Sequence, residues 1–218
     1  MLIVLEGPEA VGKSTQVRRL IEWLRSERLD VVSVREPGGT PVGDDLRRMV
    51  LDPASSLAPR TEALMFMASR AELVGQVIRP ALSAKKVVLV DRFFLSTYAY
   101  QIVGRGLDEN DVRAANHLAT GGLVPDLTLL LQLPLAESLR RMEGRRSGQD
   151  RMERSSRDFH ERVAAAFDQF SRREWQESHR ECGPIVGVDA TGTEDEVFAR
   201  LGQAVRSAWR GSFPGSPA

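Results

Sequence analysis

The stretch from Leu2 to Glu27 constrains this chain more than any other. Leu2-Ile3-Val4-Leu5 is an apolar run of strand length, the kind buried on both faces of a parallel sheet. Gly7 to Ser14 then reads G-P-E-A-V-G-K-S and satisfies the pattern G-x-x-x-x-G-K-[ST] at every fixed position. Val17, Leu20, Ile21 and Leu24 follow at helical spacing, so a helix runs over Thr15 to Glu27 and begins near Lys13. Strand, glycine-bearing loop and helix start, in that order, make a phosphate cradle. Gly7 and Gly12 let backbone N–H groups approach a phosphate without a Cβ in the way, and the helix adds the positive end of its dipole. Lys13 reaches the β- and γ-phosphates of a nucleoside triphosphate, and the Ser14 hydroxyl is a ligand for Mg²⁺. Pro8, Glu9, Ala10, Val11 and Thr15 complete the loop.

The chain's 218 residues suffice for one sizeable core, and the reading is a single domain over 1–210. Residues 211–218 hold two glycines, two prolines and two serines and read as a frayed tail. A formal net charge of +0 gives no global argument for a nucleic-acid or membrane-surface partner. The single cysteine, Cys182, has no internal disulfide partner and no neighbouring Cys/His cluster to suggest zinc. The N-terminal apolar run is too short for a signal peptide, and no run approaches the roughly 18 apolar residues of a membrane span, so a cytoplasmic protein is expected.

Further apolar strands are expected at Val31 to Val34, Val87 to Val90, Leu127 to Leu133 and Ile185 to Val188. Between them lie helical patterns at Pro41 to Val50, Pro59 to Leu82, Leu95 to Gly104, Asp108 to Thr120, Leu135 to Glu143, Asp158 to His179 and Glu194 to Trp209. On the Pro59 to Leu82 helix, Leu64, Phe66, Met67, Leu73, Val77 and Ile78 are the expected buried positions. Alternation of this kind means an α/β fold: a parallel sheet with helices on both faces and ligands at the carboxyl ends of the strands. The conspicuous polar residues sit at those ends.

Asp91, directly after the third strand, is placed to hold Mg²⁺ opposite Ser14, or else to cap the next helix; Arg92 points into the same cleft. The arginine-rich loop over 144–153 carries Arg145, Arg146 and Arg151 and reads as a lid that closes over the triphosphate and neutralises charge. Phe66 and Arg70 share a helical face, which fits either core packing or a base stacked on one and hydrogen-bonded by the other. Thr97, Tyr100 and Gln101 form a plausible base and sugar pocket.

With these residues in view, the chain resembles bacterial thymidylate kinases. The resemblance is carried by E-G-P-E-A-V-G-K-S-T (Glu6 to Thr15), R-E-P-G-G-T (Arg35 to Thr40), E-A-L-M-F-M-A-S-R (Glu62 to Arg70), D-R (Asp91-Arg92) and S-T-Y-A-Y-Q (Ser96 to Gln101). G-R-G-L-D (Gly104 to Asp108), P-D-L-T (Pro125 to Thr128), D-R-M-E (Asp150 to Glu153) and V-D-A-T (Val188 to Thr191) continue it in family order. It implies a five-stranded P-loop kinase core that moves the γ-phosphoryl of ATP, with Mg²⁺, to dTMP. It further implies that Glu9 holds the sugar 3′-hydroxyl or the water near it, Phe66 stacks on thymine, and Arg70 with Thr97 or Gln101 bonds the base edge. Pro37 lies at the acceptor, Tyr100 crowds the 2′ position, and Arg92 holds the acceptor phosphate. By the same resemblance the lid supplies catalytic arginines, adenine lies against Asp189, Ala190 and Thr191, and the protein is a homodimer, with the Pro59 to Leu82 helix a candidate for part of the contact.

Two positions depart from the family pattern. Gln132 stands where an aspartate is usual, and no tyrosine lies near Phe167 or Phe170. Phosphoryl transfer to a phosphate anion needs no general base, so Lys13, Mg²⁺, Arg92 and the lid arginines act by positioning and neutralisation. The rivals are a kinase of the same fold for another acceptor, such as dUMP, and a regulatory ATP-binding protein that works through a partner.

Overall fold

The computed structural model describes residues 1–143 and 150–209. Five strands, β1 (Leu2–Glu6), β2 (Val31–Arg35), β3 (Val87–Asp91), β4 (Leu127–Gln132) and β5 (Ile185–Asp189), form one sheet in the order β2-β3-β1-β4-β5. Every pairing is parallel; Leu5 lies beside Asp91 on one side and Leu129 on the other. Each strand ends within one residue of its expected end.

Side chains alternate across the strands and feed two cores. Leu2, Val4, Val88, Val90 and Leu130 face a layer that includes Leu73, Ile78, Phe93, Phe159, Phe167 and Phe170. Ile3, Leu5, Leu89, Leu129 and Leu131 face α1 (Lys13–Ser26) and α10 (Glu194–Ala208) through Leu20, Leu24, Val197 and Leu201. Both faces are therefore buried, which is why β1 and β4 read as unbroken apolar runs. α10 starts with a reciprocal cap: Thr193 Oγ1 accepts from the Glu196 N–H while the Glu196 carboxylate accepts from the Thr193 N–H.

The remaining helices are α2 (Pro41–Leu51), α3 (Pro59–Leu73), α4 (Arg79–Ser83), α5 (Phe94–Thr97), α6 (Glu109–Thr120), α7 (Leu135–Glu143), α8 (Arg157–Phe170) and α9 (Arg173–Ser178). α3 continues into α4 through a wider π turn at Val74–Ile78, and a second such turn, Tyr98–Gly104, follows α5. The pattern expected one helix from Asp158 to His179. It breaks after Phe170, with Arg172 in extended conformation, and Trp175 folds back onto Phe170 and Tyr98 at ring distances of 4.5 and 5.2 Å. No glycine or proline marks that break.

Leu64 is also corrected: it is 62% exposed. The inward stripe of α3 is Glu62, Ala63, Met67, Arg70 and Leu73, with Phe66 half-buried. Two of those positions are charged, so hydrophobic spacing assigned the wrong phase to the first turns of this helix. Among the described residues, no helix is long and apolar enough to cross a membrane. The 211–218 tail lies outside the described residues.

Candidate active site

A cavity of about 290 Å³ opens at the carboxyl ends of β1, β2 and β3. One end is the loop after β1. Gly7 holds φ at +146°, and a Cβ there would lie 2.7 Å from the Leu131 carbonyl oxygen of neighbouring β4. Gly12, at φ +96°, starts α1 in a conformation that disfavours any other residue. Glu9, Ala10, Val11, Gly12, Lys13, Ser14 and Thr15 line the cavity. Lys13 Nζ curls over the loop and donates to the carbonyls of Gly7 (2.8 Å) and Pro8 (2.6 Å). Burial, with Arg92 adding repulsion, lowers the Lys13 ammonium to about 8 against the pull of Glu9, Asp91 and Glu6.

Arg92 follows β3 with φ +70°, a strained conformation for a residue with a Cβ. Its guanidinium donates to Glu9 Oε1 (2.7 Å), Ser96 Oγ (3.0 Å) and the Gly7 carbonyl (3.3 Å), and lies over the Tyr100 ring. Glu6, fully buried, fixes this corner from beneath: its carboxylate accepts the N–H groups of Phe93 and Ser96 and the Ser96 hydroxyl. Burial pushes the Glu9 carboxyl up, but Arg92, Lys13 and the Tyr100 hydroxyl outweigh it and hold the group at about 2. Arg92 is raised above its ordinary value by Glu9, Tyr100 and Asp91, against its own burial. Glu9 and Arg92 are thus an ion pair, with the Tyr100 hydroxyl donating to the same Glu9 oxygen. Arg35 and Arg47, which that reading did not single out, line the same end. Arg47 donates to the Pro37 carbonyl at 2.9 Å; nothing in the α2 sequence distinguishes it from a surface arginine.

Asp91 Oδ1 is buried and has no hydrogen-bond partner among the described residues, and Asp91 and Ser14 line one cavity. An acceptor oxygen left without a donor, beside a phosphate loop, fits a cation held jointly by Ser14, this carboxylate and the phosphates.

The other end of the cavity carries Phe66, Pro37, Arg70, Thr97, Tyr100 and Gln101. Arg70 is only 2% exposed, and every one of its donors is engaged within the chain. Nε and Nη2 hold the Glu36 carboxylate, Nη2 also reaches the Phe93 carbonyl, and Nη1 reaches Thr97 Oγ1 (3.0 Å) and Asn116 Oδ1. A direct Arg70 bond to a base therefore requires it to exchange or share a partner. Thr97 Oγ1 accepts from Arg70 Nη1, and its own proton has no acceptor among the described residues.

Arg151 departs from the lid role. Its side chain is 12% exposed and donates to buried Glu62 Oε2 (2.7 Å) and to the Val50 carbonyl (2.8 Å), and it does not line the cavity. Asp150, Met152 and Glu153 do. Arg145 and Arg146 lie outside the described residues. Asp189, Ala190 and Thr191 also lie off the cavity; Asp189 accepts from the Thr191 N–H and hydroxyl, and Arg200 clasps the Asp189 and Thr191 carbonyls. Gln132 bonds Ser171 Oγ (3.2 Å), and Phe167 and Phe170 are core residues behind Tyr100.

A family model described as thymidylate kinase matches residues 5–179. The chain belongs to the thymidylate kinase family. A thymidylate kinase of a Synechococcus species is 47% identical over 207 residues, covering 94% of each chain. The thymidylate kinase of Deinococcus radiodurans is 44% identical over 205 residues, 94% of this chain and 96% of its own. That of Clavibacter michiganensis is 47% identical over 201 residues, 92% of each. Family membership makes this chain a kinase with ATP as co-substrate and a nucleotide as acceptor.

Proposed function

We infer that the chain transfers the γ-phosphoryl group of ATP to dTMP, giving ADP and dTDP. The observation that carries this reading is the shared cavity: the phosphate loop with Lys13, Arg92 beside it, and Phe66, Thr97 and Gln101 all line one space. A triphosphate on the loop and a nucleotide whose base meets Phe66 bring two phosphates together beside Lys13 and Arg92. No base is needed, because the acceptor is already an anion; holding the two phosphates in line and neutralising them suffices. Ser14 and Asp91 would hold Mg²⁺, which would supply charge neutralisation. Lys13 exchanges its loop carbonyls for phosphate oxygens. Arg92, held in place by Glu9, grips the acceptor phosphate. Tyr100, anchored on Glu9, fills the space a 2′-hydroxyl needs.

Arg145 and Arg146 are proposed to close over the triphosphate, with Arg151 anchoring that segment rather than touching phosphate. Adenine is proposed to rest near Asp189, Ala190 and Thr191. The same reading covers a single kinase domain over 1–210, a homodimer using the α3 face that carries exposed Leu64, and residence in the cytoplasm with both nucleotides. The test is ADP release with Mg²⁺-ATP alone, then with dTMP, dUMP, dCMP, AMP and thymidine in turn. Release that depends on dTMP, ahead of the others, is expected; release independent of acceptor overturns the reading.

A further inference from the structure

Glu62 sits at the centre of a buried ion cluster. It is 1% exposed, on the inward stripe of α3. Oε1 accepts from Gln101 Nε2 (2.9 Å) and Arg105 Nε (3.2 Å); Oε2 accepts from Arg105 and from Arg151 Nη2 (2.7 Å). Burial pushes this carboxyl up, but the Arg105, Gln101 and Arg151 hydrogen bonds outweigh it and hold it below the ordinary value, so it is an ionised acceptor. An acceptor-only neighbour leaves Gln101 one choice: its amide N–H₂ must turn to Glu62. Its carbonyl Oε1, which has no partner among the described residues, is then the group offered to the cavity that Gln101 lines.

We propose that Glu62 is a positioning residue that sets which pyrimidine the site accepts, by forcing Gln101 to present a hydrogen-bond acceptor to the base. This rests on the reading that Gln101 meets the base. Thymine and uracil carry a donor at N3 and match a carbonyl. Cytosine carries an acceptor at N3 and faces it lone pair to lone pair. Unmatched buried polar groups are the strongest source of discrimination a small pocket has.

Glu62→Gln inverts the logic at nearly constant volume. Arg105 and Arg151 draw the new amide oxygen to the Oε2 position, which leaves an N–H₂ facing Gln101. Gln101 then turns its oxygen to residue 62 and its own N–H₂ to the base. The experiment measures kcat/KM for dTMP and for dCMP, at saturating Mg²⁺-ATP, in wild type, Glu62→Gln and Gln101→Ala. The dCMP-to-dTMP ratio is expected to rise by at least about tenfold in Glu62→Gln, one lost hydrogen bond exchanged for a gained one. A structural role alone lowers both acceptors in proportion and leaves the ratio unchanged, which overturns the proposal. Gln101→Ala separates the two failures. If it alters the ratio while Glu62→Gln does not, the base reading stands and the Glu62 role falls. If Gln101→Ala changes neither acceptor, the base reading itself falls and the proposal with it. Should Glu62→Gln not fold, Glu62→Asp keeps the charge for the arginines while withdrawing from Gln101; an unchanged ratio there overturns the proposal equally.

Discussion

The two ends of the cavity each hold an arginine–carboxylate pair, and they use it in opposite ways. At the phosphate end, Arg92 and Glu9 are each 19% exposed at the side chain and line the open space. At the base end, Arg70 and Glu36 are 3% and 5% exposed, and Arg70 has no donor to spare. The first pair presents charge to the ligand. The second consumes its charge internally, so that the proposed base pocket offers the Thr97 hydroxyl and the Gln101 carbonyl as neutral partners. A phosphate needs net positive charge; a neutral base is read by matched donors and acceptors, which an unpaired charge nearby would blur.

Breaking the sealed pair tests the comparison hardest. Glu36→Gln leaves Arg70 buried with part of its partner gone and is expected to lower unfolding stability by about 3–5 kcal/mol in a denaturant titration. A loss below about 1 kcal/mol would mean that water already reaches this pair. At the phosphate end the expected effect falls on catalysis rather than folding. Lys13→Ala is expected to reduce dTMP-dependent ADP formation by roughly 10² to 10³-fold or more, without lowering the melting temperature. Near-normal turnover would detach Lys13 from the reaction.

A smaller, graded effect comes from pH. Lys13 sits at about 8 in the free protein, and bound phosphate favours its charged form. Above that pH the free side chain has lost a proton that binding must restore, so kcat/KM for ATP is expected to fall about tenfold per pH unit beyond 8. Lys13→Arg, if active, is expected to lose that inflection. For folding the sign runs the other way. The native pKa, about 8, lies below the ordinary 10.5, so the buried ammonium destabilises the fold below pH 8, and the penalty fades between 8 and 10.5.

The same contrast explains what the sequence revealed. The phosphate end was legible because it is contiguous: Gly7 to Ser14 carries its own geometry, and Asp91-Arg92 follows an apolar strand whose position in the sheet the alternation of elements specifies. The base end is assembled from distant parts. Glu36 meets Arg70 across 34 positions, and Asn116 meets it across 46. Apolar spacing along α3 counted Leu64 as buried, whereas the charged Glu62 and Arg70 carry the buried face. Arg151 shows the same limit: a run of arginines does not reveal which one has a buried carboxylate waiting 89 positions earlier. The resemblance to a known family supplied the base-end roles that periodicity could not.

The division of labour between the two ends has a direct measurement. Calorimetric titration of dTMP and of thymidine, each against wild type and Arg92→Ala, separates phosphate recognition from base recognition. Losing Arg92 is expected to weaken dTMP by about thirtyfold or more, the ~2 kcal/mol or more that a buried charge contact carries, while thymidine binding stays as it was. If both ligands weaken by the same factor, Arg92 holds the pocket together rather than gripping the phosphate, and the account of the phosphate end is wrong.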